Sequence, residues 1–265
     1  MKAFGLTTTL VLAVFLSFGQ LNRYGHPIVR NFTPEEYNGV EQNWSIIQDD
    51  RGVMYFANND KGILEYDGVT WRTIPVKKNA IVRSFAKDDN GTIYVGTVGD
   101  FGYLSPNKTT GLLEYKSLLE LLKDSTVKNK IQDLYKTYCY KNKIFFCSRQ
   151  YILVYNGTSV ESINLGDQKI YSNLFTFIVN NHIYIGSFFE GLRELQENDS
   201  IVLAKGGDFY KKNDIYSMIP ISNSKVLMIT PAGFFVYNQD TGESADFTDK
   251  NSYLNKLKGS SIPYC

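Results

Sequence analysis

One short phrase recurs five times between Asn38 and Asp249, and a chain written that way folds by stacking copies of a single unit. The copies read Gly52-Val-Met-Tyr-Phe-Ala57, Gly91-Thr-Ile-Tyr-Val-Gly96, Asn142-Lys-Ile-Phe-Phe-Cys147, Asn181-His-Ile-Tyr-Ile-Gly186 and Ser224-Lys-Val-Leu-Met-Ile229. Their first residues lie 39, 51, 39 and 43 positions apart. A period near forty residues filled with short β-rich runs predicts an all-β fold, a β-propeller with one four-stranded antiparallel blade per repeat.

The first copy shows how the repeat makes four strands. Trp44 to Gln48 alternates as an inner strand, and Asp49-Asp50-Arg51-Gly52 supplies a turn. There the acidic side chains can bond local backbone and Gly can take positive φ. Val53 to Asn58 is the second strand, Asn59-Asp60-Lys61-Gly62 the next turn, and Ile63 to Tyr66 the third strand. Asp67-Gly68 reads as a type I′ hairpin, and Val69 to Ile74 is the outer strand, stopped by Pro75.

The remaining copies keep this plan, with Asp88-Asp89-Asn90-Gly91 at the first turn of copy two. Asn142 and Asn181 stand in for the turn glycine, as the next best residues for a left-handed backbone. The repeats are set at 38–76, 79–124, 131–166, 171–210 and 213–250. Copy two is the longest. Its extra residues, around Ser117 to Lys130, carry leucines at 118, 119, 121 and 122 before a lysine-rich run, and predict a short helix on the propeller rim.

The ends read differently. Lys2 is the only charged residue in the first nineteen, Leu6 to Phe18 is uncharged and mostly apolar, and Ser17-Phe18-Gly19 places small residues at a cleavage site. This is the pattern of a signal peptide over 1–19, cut before Gln20. Its thirteen-residue apolar stretch falls short of the ~20 needed to span a bilayer. Residues 20–37 are a linker touching the first blade. Residues 251–265 read as the start of a sixth blade, so the chain is expected to be the N-terminal part of a longer protein. The open edge this implies would favour self-association.

Charge and cysteine content exclude several classes. The formal net charge is +1, and without Lys2 the chain carries 27 basic and 27 acidic residues, so no phosphate-gripping basic face and no nucleic-acid partner are expected. The three cysteines are Cys139, Cys147 and Cys265. A hairpin at Lys141-Asn142 pairs Cys139 with about Ile144, which argues against a Cys139–Cys147 disulfide. His26 and His182 are isolated, so neither a metal site nor a cofactor is expected.

Copies one and two also carry a family likeness. Trp44-Ser-Ile-Ile-Gln-Asp-Asp-Arg-Gly-Val-Met-Tyr-Phe-Ala-Asn-Asn59, followed by Gly62-Ile-Leu-Glu-Tyr-Asp-Gly-Val-Thr-Trp71, resembles the repeats of two-component regulator propellers. Gly91-Thr-Ile-Tyr-Val-Gly96 and Gly99-Asp-Phe-Gly-Tyr-Leu104 are similar to that family's second blade. The resemblance covers about 38–265. It implies the periplasmic sensor part of a hybrid histidine kinase or of a LuxR-type regulator with a triple-tyrosine motif. Such a parent would be anchored in the inner membrane and would carry an immunoglobulin-like domain and a kinase or DNA-binding output downstream. The implied role is ligand sensing rather than catalysis.

The loops joining second and third strands project on the face where propeller ligands dock. They supply the candidate ligand-binding residues Asn59, Asp60, Asp100, Phe101, Arg149, Phe188 and Glu190, with Asn58, Lys61, Gln150 and Phe189 beside them. Aromatics next to amides and carboxylates suit an oligosaccharide. Two other readings stand beside the sensor: a protein-interaction scaffold and a carbohydrate-active propeller enzyme. Asp50-x-Gly52-x-x-Tyr55 and Asp89-x-Gly91-x-x-Tyr94 echo the aspartate box of sialidases. That box is a structural turn, and the seven arginines are too dispersed to form a sialidase site. No catalytic residue is assigned.

Overall fold

The computed structural model describes residues 29–77, 80–166 and 174–247. The expected signal peptide, the first half of the linker, the 251–265 stretch, His26 and Cys265 lie outside the described residues. The chain divides into two units between Phe32 and Thr33, and every strand belongs to the second.

Five four-stranded antiparallel sheets follow one another along that unit, each pairing its strands in sequence order, and they form the blades of a β-propeller. Blade 1 holds β1 (Asn43–Gln48), β2 (Met54–Asn58), β3 (Gly62–Tyr66) and β4 (Trp71–Ile74). Blade 2 holds β5 (Val82–Lys87), β6 (Ile93–Thr97), β7 (Phe101–Pro106) and β8 (Leu113–Ser117). Blade 3 holds β9 (Lys136–Tyr140), β10 (Lys143–Cys147), β11 (Tyr151–Tyr155) and β12 (Val160–Asn164). Blade 4 holds β13 (Leu174–Val179), β14 (His182–Ser187), β15 (Gly191–Leu195) and β16 (Ile201–Leu203). Blade 5 holds β17 (Ser217–Pro220), β18 (Lys225–Thr230), β19 (Gly233–Asn238) and β20 (Ser244–Asp246).

The turns explain why the phrase repeats. In blades 3 and 4 the first hairpin closes through two left-handed residues, Lys141 (φ 48°) with Asn142 (φ 58°) and Asn180 (φ 48°) with Asn181 (φ 64°). That is the two-residue geometry whose twist matches the flanking strands. Lys143 then pairs with Tyr140 and Ile144 with Cys139, which leaves Cys139 and Cys147 as free thiols. Burial pushes the Cys147 thiol up to about 12, so it packs as an inert apolar group.

In blades 1 and 2 a carboxylate holds the turn instead, and it is not the one the sequence motif singles out. Asp49 accepts the N–H groups of Arg51 and Val53 and the Tyr55 hydroxyl. Asp88 does the same for Asn90, Thr92 and Tyr94. Asp50 and Asp89 point elsewhere, Asp50 to the Lys87 ammonium at 2.6 Å. The anchoring residue lies one position earlier because only there does the side chain reach back over its own turn. Asp67-Gly68 also departs from expectation. Gly68 (φ 98°) is the first central residue of the turn and Val69 is not left-handed, so the loop is not type I′, which needs both.

Strand alternation gives most blades two apolar faces, and neighbouring faces close into four cores. Tyr55, Ile63, Val82 and Val95 join blades 1 and 2, while Phe101, Leu134, Phe146 and Leu153 join blades 2 and 3. Phe145, Ile152, Ile183 and Ile185 join blades 3 and 4, while Phe177, Tyr184, Met228 and Tyr237 join blades 4 and 5. No such cluster joins blade 5 to blade 1 among the described residues. Tyr37, at the end of α1 (Pro34–Tyr37), covers the far face of blade 1 instead, its ring 5.5 Å from that of Trp71.

Blades diverge outward, so each junction leaves a wedge. Between blades 1 and 2, Arg72 fills it, held by both oxygens of Glu65 and donating to the Leu113 carbonyl at 3.1 Å. Between blades 2 and 3 the long insertion fills it. It forms a 3-10 turn at Leu119–Leu121 and a single helical turn, α2 (Ser125–Lys128), capped by Asp124. Its Leu118, Leu122 and Val127 are buried within the core rather than lying on the rim. Between blades 4 and 5 a 3-10 turn at Gly207–Tyr210 inserts Tyr210, whose hydroxyl meets Ser244 Oγ at 2.8 Å. Among the described residues the wedge between blades 3 and 4 has no equivalent filler, and a cavity of about 760 Å³ lies there.

Candidate functional site

Because the strands are antiparallel, loops between second and third strands emerge at the same end as the first residues of the inner strands β1, β5, β9, β13 and β17. A cluster forms there that spans three blades. In β1 the register slips between Asn43 and Ile46, so Trp44 and Ser45 together oppose one residue of β2. In β5 it slips between Val82 and Ser84, which leaves Arg83 unpaired. A β-bulge re-aims the side chain it carries. Here both bulges sit at the same height of adjacent inner strands, and their side chains meet: the Arg83 guanidinium lies 4.0 Å from the centre of the Trp44 ring.

Trp44 also packs against the core between blades 1 and 2, and polar and aromatic groups make the other contacts around the pair. The Trp44 indole N–H donates to Asn59 Oδ1 at 2.9 Å. Arg83 Nε donates to Asp133 Oδ1 at 2.6 Å, while its Nη1 is buried with no acceptor. Tyr135, just before β9, lies between two guanidinium groups, 5.7 Å from Arg83 and 5.3 Å from Arg149. Burial and the Asp133 carboxylate push the Tyr135 phenol up, against the pull of Arg149 and Arg83. Next to Tyr135, Lys136 is half-buried, and desolvation alone lowers its pKa.

Two of the sequence-derived candidates, Asn59 and Arg149, belong to this cluster. Asp60 adjoins Asn59 and is exposed, paired loosely with Lys61 at 3.4 Å. The others serve different ends. Asp100 is 4% exposed, and its Oδ1 accepts the Phe101 N–H at 2.8 Å and the Ser117 hydroxyl at 2.6 Å. Phe101 is completely buried against Phe146, with ring centres 4.9 Å apart, so it belongs to the blade 2–3 core and presents nothing to the face. Phe188 is half-buried and packs edge-on against Phe189 at 5.2 Å, while Glu190 pairs with Arg193 at 3.0 Å. Neither contacts the Trp44–Arg83 cluster.

Sequence reasoning missed Trp44, Arg83, Asp133, Tyr135 and Lys136. Their signal was positional, since each lies at or just before the start of an inner strand, at the same end as the chosen loops. Two cavities among the described residues open at the opposite end. The larger is floored by Phe145, Val154, Ile183 and Leu195, and in its wall His182 is bonded to Glu194 at 2.6 Å. Among the described residues no three His, Cys, Asp or Glu side chains gather as a metal site. No helix among them is long and apolar enough to cross a membrane.

No family model matches the chain, and no curated protein resembles it in sequence. Several solved structures share its fold. It is similar to the WD40 β-propeller domain of Doa1, with a TM-score of 0.55 and 10% identity, over 76% of this chain and 67% of that one. It is also similar to streptogramin B lyase, with a TM-score of 0.54 and 12% identity over 83% and 72% of the two chains. At such identities these likenesses establish a β-propeller and nothing finer. The extracellular domain assigned to a hybrid two-component system, BT4673, of B. thetaiotaomicron aligns at 17% identity, with a TM-score of 0.42. The match covers 80% of this chain and 34% of that domain, so the chain spans about a third of its length.

Proposed function

We propose that this chain is an extracytoplasmic, ligand-sensing β-propeller, the N-terminal part of a membrane-anchored signalling receptor, and that it binds an oligosaccharide at the Trp44–Arg83–Tyr135 cluster. The observation that carries the site is the pair of bulges. Two inner strands break register at the same height, and the side chains this turns out are a tryptophan and an arginine in contact. A bulge forgoes ladder hydrogen bonds, and its recurrence at one place around a ring fits a binding surface better than a packing need. An indole fixed by Asn59, a phenol and surrounding N–H donors are the groups that hold a sugar, by stacking on its ring and bonding its hydroxyls. The sensor role rests on the resemblance of copies one and two to two-component regulator propellers.

Calorimetric titration of the chain with a panel of plant and host oligosaccharides tests the site. A member of the panel should bind, and Trp44→Ala should weaken it at least tenfold without lowering the melting temperature by more than a few degrees. Binding unaffected by Trp44→Ala, or release of cleaved sugar during the titration, would refute the reading.

A further inference from the structure

The cluster holds more positive charge than it has anions to match. Arg83 and Arg149 both lie in it, and among the described residues Asp133, bonded to Arg83, is the only carboxylate that pairs with either of them. The chain as a whole is close to neutral, which makes this local excess a property of the site.

The way the guanidinium groups are held matters as much as their number. Arg83 is fixed by the faces of Trp44 and Tyr135, and Arg149 by the face of Tyr135. Stacking restrains a guanidinium through its plane and leaves its in-plane N–H edges free for an anion, whereas a carboxylate partner would occupy them. Arg83 spends its Nε on Asp133 and its Nη1 is buried, whereas Arg149 is exposed and has no ion pair among the described residues. The Arg149 fork is of the shape that matches the two oxygens of a planar carboxylate.

We propose that the oligosaccharide is an acidic one, a uronic-acid oligomer whose carboxylate is bound by the Arg149 fork, with the Arg83–Asp133 pair beside it across the same tyrosine. This rests on the saccharide reading above and narrows its ligand. A sulfate ester shares the oxyanion chemistry, but its tetrahedral oxygens fit a planar fork less well.

The test titrates the full chain with oligogalacturonate, with the same oligomer after reduction of its carboxyl groups to neutral galactose, and with a sulfated galactan oligomer of equal length. Oligogalacturonate should bind at least tenfold tighter than the reduced oligomer at about 50 mM salt, and the advantage should shrink several-fold by about 300 mM as the charges are screened. Arg149→Met, which keeps much of the side-chain volume, should remove most of that advantage and leave the melting temperature within a few degrees. Arg149→Lys should restore only part of it, because an ammonium lacks the fork. Equal, Trp44-dependent binding of the acidic and reduced oligomers would overturn the acidic ligand and leave the saccharide reading standing. Tighter binding of the sulfated oligomer would overturn the carboxylate. Binding of none of the three would overturn the uronate proposal, while a neutral sugar of another class found in the wider panel would still uphold the saccharide reading.

Discussion

Asp100 is the residue at which the loop reading and the structure diverge most sharply, and replacing it separates the two. In the structure its carboxylate is an internal fastener, with Oδ1 accepting from the Phe101 N–H and the Ser117 hydroxyl and so tying the start of β7 to the end of β8. Its Oδ2 and the Tyr115 hydroxyl are buried beside each other without a well-formed hydrogen bond. The Tyr115 phenol is pushed up by burial first and by the Asp100 carboxylate second, which places the two groups side by side. Asp100→Ala strands both donors. Hydrogen bonds to a charged acceptor contribute about 1.5–3 kcal/mol each. Relief of a buried, half-satisfied carboxylate offsets part of the loss, so a net cost of about 3 kcal/mol follows. For a domain of this size that lowers the melting temperature by roughly 6–12 °C.

Asp100→Asn should behave quite differently. The amide oxygen can keep both bonds, its NH₂ can donate to the Tyr115 hydroxyl, and no charge is left buried. Its expected stability lies within about 1 kcal/mol of the parent, since both original acceptor bonds survive. Thermal unfolding followed by circular dichroism measures both variants, and ligand titration on Asp100→Asn should match the parent. An Asp100→Asn variant as unstable as Asp100→Ala would refute the argument, because it would show that the negative charge itself is required.

Other consequences can be checked with the same assays. Burial pushes the Asp49 carboxyl up, but the bonds from Arg51, Val53 and Tyr55 outweigh it and hold the group below its ordinary range. Its contribution is therefore present above the unfolded-state pKa near 3.9 and lost as pH falls through the lower folded value. Asp49→Asn should show a smaller drop in melting temperature between pH 5 and pH 2.5 than the parent. Gly102→Ala should destabilise the fold by at least about 2 kcal/mol, because a Cβ at Gly102 would collide with the Lys116 carbonyl of the paired strand. Asn181→Ala forces alanine into a left-handed backbone (φ 64°) and should cost about 1–2 kcal/mol, with Asn181→Gly close to neutral in chemical denaturation.

Much of the blade was legible because its turns are specified by single residues. A left-handed backbone position admits few residue types, so Asn142 and Asn181 announced their hairpins. Side-chain caps were less legible, since reach depends on the path of the turn. Asp49 and Asp50 are chemically alike, and only the fold shows that Asp49 bonds Tyr55 while Asp50 meets Lys87. The leucines after Ser117 signalled a helical insert, but not that Leu118 and Leu122 would fill the wedge between blades 2 and 3. That depends on how far the two blades splay, which no local pattern encodes.

The site was less legible still, for a related reason. Loop residues between second and third strands look available in a sequence, yet in the structure many are consumed in holding their own loops. The Asn58 amide donates to the Val40 carbonyl, Asp100 takes Ser117, and Ser148 receives the Tyr151 N–H while donating to the Tyr151 carbonyl. Turn chemistry and ligand chemistry draw on the same polar side chains, so a polar loop is weak evidence for a binding surface. Trp44 and Arg83 show the converse. In sequence they fall inside runs that read as ordinary alternating strand, and only the slip of register beside each one turns it toward the other. A bulge has no fixed residue signature unless it needs glycine, and neither of these contains one. Two such slips at equivalent points of adjacent blades become visible only when the blades are laid side by side. In a repeat protein, it is this local break in the repeat, rather than the repeat itself, that points to where the molecule binds.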